Sequence, residues 1–128
     1  MAYPTGSGSE RLRRGAINTQ SNTATALRWD STNPTTGTSS YVVPALHICI
    51  LLNITFCNIH ATDNESILME YHTNSTQHDV LMQQPLSAKN TYVWNDRLVL
   101  EAGDAIKVNL ASAGTVDIVY SFIDQDWS

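Results

Sequence analysis

LHICILLNITFC, residues 46–57, is the stretch that decides the fold. Its apolar side chains recur at every second position, which is the period of a β-strand, because successive side chains of a strand point to opposite faces of the sheet. This row consists of Leu46, Ile48, Ile50, Leu52, Ile54 and Phe56. The run is also interrupted by polar residues and is too short to span a bilayer. We therefore predict a strand whose even-numbered face packs into a core.

The opposite face of this strand is half apolar, because Cys49 and Leu51 lie on it beside His47, Asn53 and Thr55. A strand of a free sandwich needs only one apolar face, since the other face meets water. Two explanations stay open. Either Cys49 and Leu51 contact another subunit, or a β-bulge switches the two faces partway along the strand.

Alternation of the same kind continues along the chain in segments separated by turn residues. The segments are 67–71, 80–82, 92–94, 98–100, 106–110 and 116–122, preceded by two short ones at 26–30 and 40–45. The turn at 101–104 contains Gly103, which can take a positive φ without steric cost. Many strands spaced by turn residues, with no helical pattern, predict an all-β fold: an antiparallel β-sandwich that is jelly-roll-like.

Residues 1–24 differ from the rest of the chain in composition. They are rich in Gly, Ser, Thr, Asn and Arg and have almost no apolar periodicity, which predicts an extended N-terminal arm beside a sandwich domain at 25–128. Arg11, Arg13 and Arg14 lie close together in this arm. They are either solvated charges of a free tail or the basic residues of an arm that docks on an acidic neighbour.

Composition restricts the partners of the chain. Its 128 residues suffice for one domain, 42% are hydrophobic and 15% charged, and the formal net charge is −5. The surface is therefore covered mostly by Thr, Ser, Asn and Gln, which cost less to desolvate against a protein than Lys and Glu. The basic residues are too few for a phosphate-binding surface, so we expect no nucleic-acid partner. We expect no membrane segment either.

The two cysteines indicate the compartment in which the chain folds. In an extended strand Cys49 and Cys57 are about 26 Å apart, whereas a disulfide requires Cα atoms within about 7 Å. Reduced thiols are therefore expected, as in a protein folded in the cytoplasm. The N-terminal stretch also lacks the apolar region of a secretory signal.

No catalytic or metal-binding pattern in the sequence is convincing. The best metal set, Cys57, His60, His72 and His78, matches no standard zinc spacing. Neither a nucleophile with a base nor a glycine-rich phosphate loop is recognisable. We expect no enzyme activity, no metal and no cofactor.

The three tryptophans allow more than one interpretation. Trp29, Trp94 and Trp127 can be core or interface anchors. Alternatively, Trp94 with Tyr92 could stack on a sugar ring of a host glycan. Trp127, next to the end of the chain, is protected either by a partner or by docking back onto its own sheet.

Two groups of short segments resemble a known protein family. YVVPA at 41–45, followed by an apolar strand ending in FCN at 56–58, is similar to a "YTVPA" segment and a strand ending in "VCN". PLSA at 85–88 and RLVLEAGDAIKV at 97–108 are similar to the "IPA" and "LEAGD" segments of the same proteins. These proteins are the small β-sandwich virion proteins of tailed bacteriophages, and the resemblance covers residues 40–123.

The resemblance implies a virion structural protein, made in the host cytoplasm and often trimeric. The leading expectation is a capsid cement or decoration protein on the capsid surface that bridges subunits of the major capsid protein as a homotrimer. The alternative is a glycan-binding module of the tail, neck or fibre. The partner-binding residues expected from the chain itself are Arg11, Arg13, Arg14, Cys49, Leu51, Trp94 and Trp127.

Overall fold

The computed structural model describes residues 8–73 and 75–128, and these form nine β-strands. The strands are β1 (Ser9–Gln20), β2 (Thr25–Ala26), β3 (His47–Asn58), β4 (Glu65–Thr73), β5 (Thr76–Leu86), β6 (Thr91–Trp94), β7 (Leu98–Leu100), β8 (Ala105–Leu110) and β9 (Val116–Asp126). Within these two ranges no helix is long and apolar enough to cross a membrane.

The strands form two sheets with the order of a jelly roll. The first sheet has the order β1-β9-β3-β6, and β7 pairs with β3 along the same edge as β6. The second sheet has the order β2-β8-β4-β5. All pairings are antiparallel, and the chain crosses repeatedly between the sheets. The prediction of an all-β, jelly-roll-like sandwich is confirmed.

Aromatic side chains occupy the centre of the core between the sheets. The ring of Trp29 meets Phe122 edge-on at a centroid distance of 4.9 Å and Tyr120 at 6.0 Å. The hydroxyl of Tyr120 donates to the backbone oxygen of Arg28 at 2.7 Å and accepts from the Arg28 amide at 2.9 Å. Tyr120 thus fixes the segment that carries Trp29, and both of its polar bonds are satisfied inside the core.

Two predicted strands differ from the structure. Of the segment 26–30, only Ala26 belongs to a strand, and 40–45 contains none. Isolated backbone bonds hold these segments: Leu27 donates to Ile106 at 2.9 Å and Val43 to Asp104 at 2.9 Å. The alternating burial of these two segments therefore comes from packing of their apolar side chains into the core. Isolated hydrogen bonds take the place of a continuous strand ladder.

A β-bulge interrupts β3, which decides between the two explanations offered for its second face. The pairing of β3 with β9 shifts register between Leu51 and Asn53. Before the shift Cys49 and Leu51 are buried, and after it Ile54 and Phe56 are buried. The buried positions thus change from odd to even numbers within one strand. The predicted core row is wrong for its first half, where Ile48 and Ile50 instead face outward.

β1 lies where the sequence predicted an arm separate from the sandwich. Residues 9–20 form a strand that pairs with β9 from Ser9 opposite Asp126 to Gln20 opposite Val116. The segment is extended, as predicted, but it is hydrogen-bonded into the first sheet as an edge strand. Residues 1–7 of the predicted arm lie outside the described residues.

The turn between β7 and β8 matches its prediction. Gly103 has a φ of 91°, and the Asp104 carboxylate accepts a hydrogen bond from the Glu101 amide at 2.9 Å. This turn places the Asp104 carboxylate 3.4 Å from the hydroxyl of Tyr71, which donates its proton to the backbone oxygen of Val99 at 2.7 Å. The turn therefore ties the second sheet to the short strand β7 of the first.

Candidate interaction surface

An apolar stripe crosses the outer face of the first sheet, on the side away from the core. Its members are direct cross-strand neighbours: Leu12 on β1 pairs with Ile123 on β9, Ile123 with Ile50 on β3, and Ile50 with Val99 on β7. Leu12 is 79% exposed and Val99 54% exposed. At about 4.8 Å between strands, the stripe is about 14 Å long.

A second, weaker row runs parallel to this stripe. It consists of Ala16, Val119, Thr55 and Val93, again in direct cross-strand register. Val119 and Val93 are each about half exposed. The row lies four residues further along β1, which is about 13 Å from the stripe. Arg14, Ser121 and Asn53 separate the two rows.

The outer face is therefore a patterned surface in which two apolar rows enclose a polar one. We use the name outer face for these three rows together. Single exposed apolar residues are ordinary on a soluble protein, but an aligned set spanning four strands is the kind of patch that marks a protein contact.

The edge of β1 is open along part of its length. The amide of Ala16 donates to Oδ1 of Asn33 at 3.1 Å and so points away from β9. Alternate residues of a strand direct their backbone groups to the same side, so those of Glu10, Leu12 and Arg14 also point away from β9. No backbone partner pairs with these three in the described part of the chain. Such an edge is a template for a further strand.

A buried charged cluster lies beneath β1 on the inner side of the first sheet. Asp124 is 1% exposed. Its carboxylate lies 2.8 Å from Nδ1 of His47 and 3.4 Å from Nε of Arg13. Asp126 adds contacts at 3.4 Å to Nε2 of His47 and to Arg11. Side chains of three strands thus meet at one end of the sheet.

The electrostatics of this cluster indicate a structural role. Burial, together with the neighbouring Asp124 carboxylate, raises the pKa of the Cys49 thiol well above its ordinary value. A protonated, buried thiol is not a nucleophile. The hydroxyl and amide of Ser128 hold the pKa of Asp126 below its usual value by hydrogen bonding to the carboxylate. The cluster therefore joins β1 and β9 through the ion pairs of Arg11 and Arg13, and β3 through the contacts of His47 with Asp124 and Asp126.

The three predicted arginines point to different sides of β1. Arg13 and Arg11 face inward and pair with Asp124 and Asp126 of their own chain. Arg14 faces outward, where its Nη1 lies 3.5 Å from Oδ1 of Asn33. The structure therefore does not bring the three together as one basic patch, because adjacent strand residues point to opposite faces. Arg14 is the arginine left on the outer face.

Cys49 and Leu51 are not placed to contact a partner. Both are completely buried between the sheets. The bulge in β3 turns them inward, and the neighbouring apolar residues Ile48 and Ile50 take the outer positions instead. Of the two explanations given for the second face of this strand, the structure therefore shows the bulge.

Tyr92 and Trp94 lie on the core side of β6 and not on an exposed platform. Both are half-buried and pack against the core, and the ring of Tyr92 lies 6.3 Å from that of Phe56. Stacking a sugar ring needs an open aromatic face, so this geometry does not favour the glycan alternative at Trp94.

Trp127 docks back onto its own chain, which is one of the two possibilities the sequence left open. Its amide donates to the backbone oxygen of Leu46 at 2.9 Å. Gly8 lies directly against the indole, since a Cβ there would be 2.7 Å from Cδ2 of Trp127. The start of β1 and the end of β9 are thus packed together.

The histidines of the best metal set have local partners instead. Nδ1 of His60 accepts hydrogen bonds from the amides of Thr62 and Asp63 at 3.1 and 2.9 Å. His78 lies 3.1 Å from the Thr73 hydroxyl. Across residues 8–73 and 75–128, no three side chains of His, Cys, Asp or Glu are grouped in a way that could hold a metal ion.

Sequence reasoning missed the residues that form the outer face and the buried cluster. Leu12 is isolated among polar residues, and Val99 belongs to a three-residue strand, so neither has a strong local signal. Asp124, in contrast, has a clear local signal in the sequence. It continues the buried row of β9, after Tyr120 and Phe122, at the next inward position. A carboxylate at that position indicates a buried partner of opposite charge.

No protein-family model matches the chain, and no curated protein gives a significant match. Several solved structures are similar to it in fold. One comes from the acid-stable capsid of Helicobacter pylori bacteriophage KHP30, with 8% identity, coverage of 93% of this chain and 89% of that one, and a TM-score of 0.48. Another is the virus-like particle of the extra small virus of the prawn Macrobrachium rosenbergii, with 5% identity, coverage of 98% and 84%, and a TM-score of 0.46.

A third similar structure is not viral. It is the core of Drosophila NLP, whose structure concerns pentamer formation and histone binding, with 16% identity, coverage of 88% and 95%, and a TM-score of 0.47. At such identities the likeness extends to the β-sandwich architecture and no further.

Proposed function

We propose that this chain is a structural protein of a virion, and specifically a capsid cement or decoration protein on the capsid surface. The observation that carries the proposal is the outer face of the first sheet, where Leu12, Ile50, Val99 and Ile123 align across four strands. A small jelly roll buries such a row only against another protein. The resemblance of residues 40–123 to small virion proteins of tailed bacteriophages supports the same assignment.

The physical mechanism of such a protein is selective binding to the assembled shell. Apolar area that leaves water contributes roughly 25 cal/mol per Å². A protein that binds neighbouring capsid subunits only when they are assembled adds its binding free energy to the stability of the shell. The chain has only 15% charged residues, so its polar surface costs less to desolvate against a protein than one rich in Lys and Glu. We propose that the outer face contacts the major capsid protein.

The remaining features of the proposal come from the resemblance and from Arg14. A homotrimer places three outer faces around one axis of the shell, so that each contact is repeated three times. Arg14 lies in the polar row of the outer face, where it would meet an acidic side chain of a neighbouring chain. Arg11 and Arg13 would stay with Asp126 and Asp124 of their own chain. The protein would be made in the host cytoplasm before it joins the particle.

A co-sedimentation assay with undecorated capsids tests this proposal. The variants are Val99→Asp and Val119→Asp, which put a charge on each apolar row without touching the core. Met82→Asp is the matched control, because Met82 is an exposed apolar residue, 66% accessible, on β5 of the second sheet. We expect the first two variants to lose capsid binding by at least about tenfold, the effect of an uncompensated charge in an interface, and the control to bind normally.

Two results would contradict the proposal. If Val99→Asp and Val119→Asp bind capsids as tightly as the unaltered chain, the outer face is not the contact surface. If the unaltered chain fails to bind capsids of its own virus, the cement role itself is wrong. Circular dichroism and thermal unfolding of each variant ensure that a loss of binding is not a loss of folding.

A further inference from the structure

The open edge of β1 has a sequence that is complementary to itself. Its residues Glu10, Leu12 and Arg14 share the outer side of the strand and direct their backbone groups toward the open edge. Glu10 and Arg14 lie two residues on either side of Leu12 and carry opposite charges. The Glu10 carboxylate is held on the outer face by a hydrogen bond of 2.9 Å from Gln125 on β9.

We propose that two copies of this chain pair through β1, antiparallel and centred on Leu12. In this register Leu12 lies directly opposite Leu12 of the second copy. Glu10 lies opposite Arg14 of the second copy, and Arg14 opposite Glu10. The contact is isologous, so one two-fold axis makes each favourable pair twice. Opposite charges and apolar side chains that face each other directly are the pairs that stabilise antiparallel strands.

The backbone geometry agrees with this register. In an antiparallel pair centred on Leu12, the numbers of two facing residues sum to 24, so even-numbered residues face even-numbered ones. The residues that bond across the axis are therefore 10, 12 and 14. These are the residues whose amide and carbonyl groups point away from β9. A register shifted by one residue would place residues 10, 12 and 14 opposite odd-numbered residues of the second copy, whose backbone groups already bond to β9. The contact ends at Ala16, whose amide is occupied by Asn33.

Pairing through β1 also extends the apolar stripe. Leu12 is the end of the stripe at the β1 edge, and it is the most exposed large apolar residue of the described chain. Across the two-fold axis the stripe continues through Leu12, Ile123, Ile50 and Val99 of the second copy. The result is one row across eight strands on a single continuous sheet. This geometry explains why Leu12 lies at an open edge amid charged residues.

The inner side of β1 presents like charges across the same axis, which is the main objection to the pairing. Arg11 would lie opposite Arg13 of the second copy, and inward-facing charges are a common device against edge pairing. Here each guanidinium already has a carboxylate of its own chain at 3.4 Å, Asp126 for Arg11 and Asp124 for Arg13. The two inner arginines are thus neutralised locally, whereas Glu10 and Arg14 lack a partner of opposite charge among the described residues.

The two-fold contact does not depend on the proposed function, because it needs only the purified chain. It uses the edge of the first sheet and, of the outer face, engages only Leu12 and Arg14 on β1, so the members of the outer face on the other strands stay free. A three-fold contact elsewhere on the molecule is compatible with it, since icosahedral shells contain both kinds of axis.

Charge-swap variants followed by sedimentation velocity test the pairing. Glu10→Arg and Arg14→Glu each turn the two attractive cross-strand pairs into repulsive ones, which should raise the dissociation constant of the two-fold contact by about tenfold or more. The double variant Glu10→Arg/Arg14→Glu exchanges the charges and should restore association. Arg97→Glu, on the loop at the opposite edge of the sheet, is the matched control and should leave association unchanged.

A cysteine variant tests the register itself. Residues that bond directly across antiparallel strands have Cα atoms about 5.5 Å apart, which suits a disulfide. In a Cys57→Ser background, Leu12→Cys should form a covalent dimer on oxidation, and Val99→Cys should not.

The proposal is overturned if the single charge-reversal variants associate as strongly as the unaltered chain in sedimentation velocity. It is also overturned if the double variant associates no better than the single ones, or if Leu12→Cys does not cross-link. A monomeric unaltered chain at all concentrations would exclude it as well. Restored association in the double variant has no explanation in a contact that brings other residues together.

Discussion

The buried carboxylate of Asp124 offers the sharpest test of how β1 is held in the first sheet. We consider Asp124→Asn, which keeps the shape of the side chain and removes its charge. Asp124 is 1% exposed and contacts Nδ1 of His47 at 2.8 Å and Nε of Arg13 at 3.4 Å. The substitution leaves the Arg13 guanidinium partly buried without its carboxylate.

The size of the effect follows from this burial. Removing one partner of a fully buried ion pair costs about 3–5 kcal/mol. The side chain of Arg13 is 19% exposed, so water can recover part of its solvation. We therefore expect the free energy of unfolding to fall by about 3 kcal/mol, the lower end of that range. In urea, with a slope of about 1–3 kcal/mol per M, the midpoint should fall by roughly 1–3 M.

Urea unfolding followed by tryptophan fluorescence measures this change, since Trp29 lies in the core. Asp96→Asn, on an exposed loop, is the control and should shift the midpoint only slightly. A double-mutant cycle with Arg13→Met should give a coupling energy of about 1 kcal/mol or more. If Asp124→Asn unfolds at the same urea concentration as the unaltered protein, the buried cluster does not stabilise β1 and the reasoning fails.

Three further predictions concern the bulge, the seat of β1 and the alkaline range. Leu51→Ala should lower the free energy of unfolding by about 3 kcal/mol, and Ile50→Ala by less than half of that. The reason is that the bulge buries Leu51 and turns Ile50 outward. Equal losses in urea unfolding would argue against the bulge. Gly15→Ala should cost about 2 kcal/mol, because a Cβ there overlaps the ring of Tyr120; an unchanged melting temperature would contradict this packing. Burial and the nearby Asp104 carboxylate raise the pKa of Tyr71 to about 12. The folded state therefore holds the Tyr71 proton more tightly than the unfolded state, and the free energy of unfolding should fall as pH rises from about 10 through the pKa of the folded state. Between pH 9 and 12, the urea midpoint of Tyr71→Phe should decline less steeply than that of the unaltered protein. Identical slopes would refute the assignment.

Elements with strong local signals were predictable from the sequence. The alternation of β8 and β9 and the turn at 101–104 require only short-range information, namely a period of two and a glycine at a positive φ. The jelly-roll class follows from many such strands. The arginines at 11, 13 and 14 stand out in the sequence, but their separate roles do not. Strand alternation divides them between two faces, and two of them pair with carboxylates more than 100 residues away.

The amino-acid sequence by itself determined that this chain folds into β-strands and which stretches are rich enough in apolar residues to form a core. Only the tertiary structure decided which face of each strand is buried. A single extra residue at the bulge of β3 exchanges its two faces. β1 becomes a strand only because its backbone hydrogen-bonds to β9 and Arg13 pairs with Asp124. The outer face arises in the same way. Its rows run across strands that are distant along the chain, and cross-strand register is a property of the sheet that no local period encodes.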